Sequence, residues 1–301
     1  MLKIGTRGSK LALWQAHWVR DRLAEAGHRC RVEVIRTTGD KITGVALSEV
    51  GAKGLFTKEI EEALLGGKID LAVHSMKDMP TDIPAGLELG AIPKREDARD
   101  AVAGKTLAAL PAGAKVGTSS LRRAAQVRRL RPDLVVESIR GNLDTRLRKL
   151  DEGRYDAIVL AAAGLKRLGW SDRIEELLDP GTMCPAVGQG ALAIETRAGD
   201  ESTAEIRRLL DDAETRAAVT GERATLRVLG GGCQVPIGVH GTIENDGLLL
   251  CAVVLSPDGK KVVRCGAHGP VADAAPLGKA LGEELLSDGA AEILEQVYGT
   301  S

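Results

Sequence analysis

Apolar and polar positions along the first two hundred residues follow two alternating periods. Short apolar runs bounded by polar or glycine positions predict strands over 32–36, 69–74, 115–117, 134–139 and 157–160. Longer stretches with apolar residues three and four apart predict helices over 11–26, 58–65, 121–130, 144–152 and 201–210. Regular alternation of the two predicts an α/β protein. Leu11, Trp14 and Trp18 share one helical face, which assigns both tryptophans to the core rather than to a ligand platform.

Two polar or turn-rich segments interrupt this rhythm: AIPKREDARD at 91–100 and PGTMCPAVGQG at 180–190. They bracket a block at 95–190 that reads as a domain inserted into a discontinuous first domain, 1–94 with 191–212. From 213 the character changes again. A helix over 213–229, a loop over 230–238, a hairpin-like pair of strands around SPDG within 239–265 and a helix over 274–297 make a third domain, 213–301. No internal sequence repeat is evident.

The composition narrows the function classes. Of 301 residues, 44% are hydrophobic and 28% charged, the balance of a soluble globular chain. The 41 Lys+Arg nearly cancel the 42 Asp+Glu, which argues against a general nucleic-acid or membrane surface. Six aromatics are too few for a single-strand stacking platform. No run approaches the roughly 18 apolar residues of a membrane span. The opening MLKIGTRGSK lacks the apolar core of a signal peptide, which predicts a cytoplasmic protein. The five cysteines are odd in number and form no CxxC, so neither a disulfide framework nor a structural zinc site is expected. P-loop and dinucleotide fingerprints are missing as well.

Charge is uneven despite the neutral sum. Arginine outnumbers lysine 26 to 15, and the segment 118–148 carries eight arginines against three acids, a net of +5, whereas 241–301 is −5. One layout recurs where these arginines lie: a short strand, a turn of small polar residues, then a helix. Thr6-Arg7-Gly8-Ser9, Gly117-Thr118-Ser119-Ser120 before Arg122 and Arg123, and Arg140-Gly141-Asn142 before Arg146 all have it. Ser and Thr at such places serve as helix N-caps in any protein. Three caps paired with Arg at helix N-termini point further, to a polyanionic ligand held at the carboxyl ends of strands.

Three other segments carry candidate chemistry. His74-Ser75-Met76-Lys77-Asp78-Met79-Pro80 follows an apolar strand. It offers a carboxylate suited to holding or moving a proton, although Lys-Asp before a turn is also a common surface pair. His74 has no second metal ligand at useful spacing and reads as a hydrogen-bonded strand residue. The loop Gly230–Gly238, GGGCQVPIG, presents Cys233, which is equally a nucleophile, a covalent attachment point or a small apolar filler. Gly51-Ala52-Lys53-Gly54-Leu55-Phe56 has the composition of a lid.

Taken together, TRGSKLALWQA, VGAKGLFTKE, AVHSMKDMP, REDARDA, VGTSSLRRAAQ, SIRGNLDTRL, AAAGLKRLG, PAVGQGALAIE and GGGCQVPIG strongly resemble the porphobilinogen deaminase (hydroxymethylbilane synthase) family, in family order from residue 4 to 238. The resemblance implies three domains, the first two similar to periplasmic binding proteins with a cleft between them, plus a small α/β third domain. It implies a cytoplasmic, monomeric, metal-free transferase of tetrapyrrole and heme biosynthesis. Such an enzyme deaminates four porphobilinogen molecules and joins them head to tail into hydroxymethylbilane, releasing ammonia.

The resemblance also implies a dipyrromethane cofactor held by a thioether to Cys233, with Asp78 as the catalytic carboxylate. Ser75, Lys77, Thr118, Ser119, Ser120, Arg122, Arg123 and Arg140 match cofactor-binding positions, and Arg7, Ser9, Arg140, Arg146, Arg167 and Gln189 match substrate-binding ones. Lys53 and Phe56 match a flexible loop. An anion-binding module without catalysis is the runner-up, but it leaves Cys233 and the third domain without a role. A nucleic-acid helix over 121–131 comes third.

Overall fold

The computed structural model describes residues 1–41, 56–230 and 235–298. Cys233 and Lys53 lie outside the described residues. The chain divides into two compact units, Met1–Glu96 with Ala191–Arg216, and Asp97–Gly190 with Ala217–Ser301.

The first unit is a five-stranded sheet in the order β2-β1-β3-β10-β4, built from β1 (Leu2–Thr6), β2 (Cys30–Val34), β3 (Leu71–Ser75), β4 (Leu87–Ala91) and β10 (Leu192–Arg197). β1 runs parallel to β2 and β3, and β10 returns antiparallel between β3 and β4. Because side chains alternate along a strand, β3 feeds both faces. Leu71 and Val73 pack with Ile4, Val19 and Leu23 under α1 (Lys10–Glu25), while Ala72 packs with Ile60 and Leu64 of α2 (Lys58–Leu65). The core side of α1 is Gln15, Ala16, Val19 and Leu23. Trp18 only flanks that cluster, and Trp14 is half-buried, so the tryptophans sit at the rim of the core rather than inside it.

The second unit holds a sheet of the same design. β5 (Asp100–Gly104), β6 (Lys115–Gly117), β7 (Val135–Glu137), β8 (Ala157–Ala161) and β9 (Glu176–Leu178) take the order β7-β6-β8-β5-β9. β6 is parallel to β7 and β8, and β5 runs antiparallel between β8 and β9. Strand for strand, β6, β7, β8, β9 and β5 occupy the places of β1, β2, β3, β4 and β10. The two sheets are a topological repeat that no sequence identity betrays. The helices after the parallel strands are α3 (Leu121–Leu130), α4 (Leu143–Asp151) and α5 (Ala162–Arg167).

In the same unit, β11 (Ile237–Glu244), β12 (Gly247–Leu255) and β13 (Val262–Pro270) form an antiparallel meander. α6 (Ala204–Leu210) belongs to the first unit, and α7 (Ala213–Val228) continues into the second. One face of the meander packs through Val239, Leu248, Leu250 and Val254 against Leu281 and Leu285 of α8 (Ala274–Leu285). The expected pair of strands is thus three. The overlooked turn is Asn245-Asp246, at φ 48° and 62°, the left-handed pair of a two-residue hairpin. The expected single last helix is also interrupted: a wide turn over Leu286–Ala290, with Gly289 at φ 105°, separates α8 from α9 (Ala291–Tyr298).

Candidate active site

In the first unit the candidate residues stand on the turns leaving β1 and β3. Ser9 caps α1 from an extended conformation, its Oγ accepting the Ala12 N–H at 3.2 Å. Buried Thr6 donates its hydroxyl to the Ala12 carbonyl at 3.2 Å and ties strand to helix. Arg7, half-buried between them, lies over the Phe56 ring with its guanidinium carbon 4.0 Å from the centroid, a cation–π contact.

Ser75 ends β3 and accepts a 2.9 Å hydrogen bond from Gln15 Nε2. The next three residues, Met76–Asp78, make one tight turn. Met76 and Met79 are buried on either side, which pins the turn by packing and leaves Lys77 half-buried and Asp78 exposed. Asp78 is therefore a carboxylate on a rigid base, with no ion pair among the described residues.

Behind β3 lies a second, hidden group of acids. His74 Nε2 sits 3.3 Å from Glu195 Oε2, with the two side chains 4% and 0% exposed, and Glu61 of α2 is buried too. Both Glu195 oxygens, His74 Nε2 and Glu61 Oε1 lack a well-aligned hydrogen bond among the described residues. Burial pushes the Glu61 carboxyl up, against a Thr57 hydrogen bond and with the Glu195 charge.

The turn leaving β6 in the second unit repeats the one after β1. Ser120 caps α3, its Oγ accepting the Arg123 N–H at 3.4 Å, as Ser9 caps α1. Thr118 is buried and accepts the Ser120 N–H at 3.2 Å, while exposed Ser119 donates to the Ile139 carbonyl. The turn after β7 holds Arg140 and Gly141, the latter at φ 110°. Arg146 of α4 donates Nε–H back to the Gly141 carbonyl at 2.8 Å. Arg167, at the end of α5, donates to the Gly190 carbonyl at 2.6 Å. The turns after β6 and β7 stand at the carboxyl ends of parallel strands, where open α/β sheets bind ligands, while Arg167 stands one short helix beyond the end of β8.

Arg122 and Arg123 turn inward. Asp100, completely buried at the start of β5, accepts from Arg122 Nη1 at 2.6 Å, Arg123 Nε at 2.9 Å and Gln189 Nε2 at 2.8 Å. Gln189, also fully buried, accepts from Arg123 Nη2 and donates to the Ala98 carbonyl. Burial alone would raise the Asp100 carboxyl, but the Arg122 and Arg123 charges outweigh it and hold it well below the ordinary carboxylate range. Two guanidiniums on one carboxylate leave a net positive charge beneath the α3 N-terminus. Arg122 Nε is moreover buried without a hydrogen-bond partner among the described residues.

Comparison with known proteins decides the family. The porphobilinogen deaminase, dipyromethane cofactor binding domain matches residues 2–205, and the porphobilinogen deaminase, C-terminal domain matches 216–287. The chain belongs to the porphobilinogen deaminase family. The porphobilinogen deaminase of Syntrophobacter fumaroxidans is 52% identical over 99% of this chain and 98% of its own. That of Trichlorobacter lovleyi is 53% identical over 99% and 96%, and that of Roseiflexus castenholzii 54% over 97% and 98%. Among solved structures, a periplasmic substrate-binding protein of an ABC transporter from Coxiella burnetii covers 69% of this chain and 90% of that one, at 12% identity and a TM-score of 0.42.

The family's dipyrromethane is a pair of pyrroles bearing carboxylate arms. Capped helix N-termini and strand-end arginines are the donors such a polycarboxylate requires, and the buried Arg122–Asp100–Arg123 group adds a net positive charge at the α3 N-terminus. Sequence reasoning missed Asp100, whose only hint is one acid at the head of an otherwise apolar strand. It also missed Glu222 of α7, fully buried, which accepts the Gly188 N–H at 2.6 Å and the Gly241 N–H at 2.8 Å and so fixes the backbone beside Gln189. Among the described residues, no helix is long and apolar enough to cross a membrane.

Proposed function

We propose that the strand-end turns of this chain carry out the family's reaction with the following division of labour. The activity is that of a porphobilinogen deaminase: four porphobilinogens are deaminated and joined head to tail into hydroxymethylbilane, with ammonia released at each step, in tetrapyrrole synthesis. When bound, the dipyrromethane supplies the electron-rich pyrrole carbon to which substrate is joined. Cys233 is its point of attachment, through a thioether. Thr118, Ser119, Ser120, Arg122, Arg123, Arg140, Ser75 and Lys77 hold its carboxylate arms, and Arg7, Ser9, Arg146, Arg167, Gln189 and again Arg140 serve the substrate's.

Asp78 is the catalytic carboxylate. Loss of ammonia from porphobilinogen leaves an electron-poor methylene-pyrrole with cationic character. A carboxylate fixed in advance by the buried methionines beside it stabilises that charge without reorganising, and it accepts or returns the pyrrole protons. Each added unit brings further carboxylates, which explains why arginine rather than lysine dominates these turns.

One observation carries this reading: the same capped, arginine-bearing turn follows a parallel strand in each sheet, and in the first unit the turn after β3 adds an exposed carboxylate, Asp78, with no ion pair among the described residues. The same reading divides the chain into domains 1–94 with 191–212, 95–190 and 213–301, working as a cytoplasmic monomer. Asp78→Ala tests it. Hydroxymethylbilane formation should fall about 1,000-fold or more while porphobilinogen still binds. A rate within a few-fold of the unsubstituted enzyme removes Asp78 from the chemistry.

A further inference from the structure

Within the second unit, the meander presents its other face to the segment that ends the inserted sheet. Val253 and Leu255 of β12 pack with Ala125 of α3 and Cys184, and Val262 borders them. Cys251 is two residues before Val253 and so shares that face. The Cys184 sulfur lies 3.7 Å from the Cys251 carbonyl oxygen, and Gly238 of β11 leaves room for it, since a Cβ there would stand 3.0 Å from that sulfur. On the neighbouring strand the Arg264 guanidinium reaches the Cys251 sulfur at 3.6 Å. Cys184 is completely buried and Cys251 is half-buried.

We propose that Cys251 is a site of oxidation by hydroperoxides and that Cys184 resolves it into a disulfide. A side-chain hydrogen bond with Cys184, and after it the Arg264 charge, bring the Cys251 thiol down to about 6 against burial. The same hydrogen bond, then burial, drives Cys184 well above the usual thiol range. Cys251 is thus the thiolate and Cys184 the proton-bearing partner, a division of roles suited to attack and resolution.

The Cys251 sulfur attacks the terminal oxygen of the hydroperoxide, forming an S–O bond as the O–O bond breaks. The alkoxide (hydroxide, from hydrogen peroxide) leaves and takes up from solvent the proton that the Cys251 thiol released on ionising; the sulfur is oxidised by two electrons and the peroxide is reduced. The Cys184 sulfur then attacks Cys251, the S–S bond forms as the S–O bond breaks, and the Cys184 proton leaves with hydroxide as water.

The consequence reaches the anion-binding turns. The Cys184 carbonyl accepts from Arg122 Nη1 at 2.6 Å and from Gln126 Nε2 at 3.1 Å, and its N–H donates to Gln126 Oε1 at 2.7 Å. A disulfide would bind that backbone covalently to the meander. It would do so between residues already in contact, so the Arg122 support would be locked rather than torn.

The test uses the holoenzyme and hydrogen peroxide, with thiols mapped by peptide mass. The expected product is a loss of two mass units, confined to a Cys184–Cys251 peptide pair and reversed by dithiothreitol. In Cys184→Ser, dimedone should label Cys251. In the unsubstituted protein at pH 6.5, iodoacetamide should modify Cys251 at least about tenfold faster than Cys30, because a difference in thiolate fraction of roughly 100-fold or more outweighs the weaker nucleophilicity of the more acidic thiolate. Oxidation of Cys30 or Cys265 at the rate of Cys251, or peroxide treatment that leaves both Cys184 and Cys251 reduced, overturns the proposal.

Discussion

Replacing Asp100 by Asn keeps the shape of the side chain and removes its charge. In the native molecule that charge is fully buried and faces Arg122 at 2.6 Å and Arg123 at 2.8 Å, whose side chains are only 4% and 7% exposed. Without it two guanidiniums stay buried with no counter-charge. Breaking a buried pair by removing one partner costs about 3–5 kcal/mol. At about 2–4 °C per kcal/mol for a body of this size, the apparent Tm should fall by roughly 10 °C at pH 7. Asp97→Asn is the control. Its partners Arg99 and Lys166 are 40% and 33% exposed, so its loss should be nearer 1 kcal/mol.

The pH dependence has a definite sign. The folded Asp100 carboxyl lies below its unfolded value of about 3.9, so its contribution is complete above about pH 5 and drains away as the pH falls. The gap in Tm between the native protein and Asp100→Asn should therefore hold constant from pH 7 to about pH 5 and narrow from there to pH 3, by scanning calorimetry or circular dichroism. A variant that melts within 1 °C of the native protein at pH 7, or a gap indifferent to acid, refutes the role given to Asp100.

Two further outcomes follow from the site and its surroundings. Arg146→Leu removes a guanidinium that steadies the Gly141 turn and, in this account, grips the growing chain. Each lost charge-assisted contact of about 1.5–3 kcal/mol should slow elongation by about 10- to 100-fold and let partly elongated forms accumulate, visible by native mass spectrometry. An unchanged distribution of forms assigns Arg146 to stability alone. Glu61→Gln should raise the Tm relative to the native protein at pH 8 and not at pH 4. The folded Glu61 carboxyl sits above its unfolded value, so ionising it costs the native fold as the pH rises, a cost the amide never meets. A Tm difference that is the same at both pH values counts against that reading.

Periodicity made much of the fold legible. The helices at 58–65 and 121–130 and the strand at 115–117 agree with the structure residue for residue, because their apolar positions keep one period and their ends carry clear caps or glycines. β5 and β10 escaped. DAVAG and LAIETR abut the polar and turn-rich segments 91–100 and 180–190, and their places in the middle of the sheets follow from chain topology rather than from anything local. The third meander strand was missed because Asn245-Asp246 reads as one more polar step until the backbone shows both in the left-handed region. The site divides similarly. Ser9 and Ser120 were readable as caps from the residues after them. That Arg122 and Arg123 point inward was not, since their partner Asp100 stands more than twenty positions earlier in the chain.

The central claim is that this chain assembles its product while anchored through Cys233 to a dipyrromethane. The mass of the denatured, purified protein tests it most directly. The native chain should exceed its sequence mass by one dipyrromethane, and Cys233→Ser should match its sequence mass and form no hydroxymethylbilane. Active native protein at its unmodified sequence mass would contradict the account.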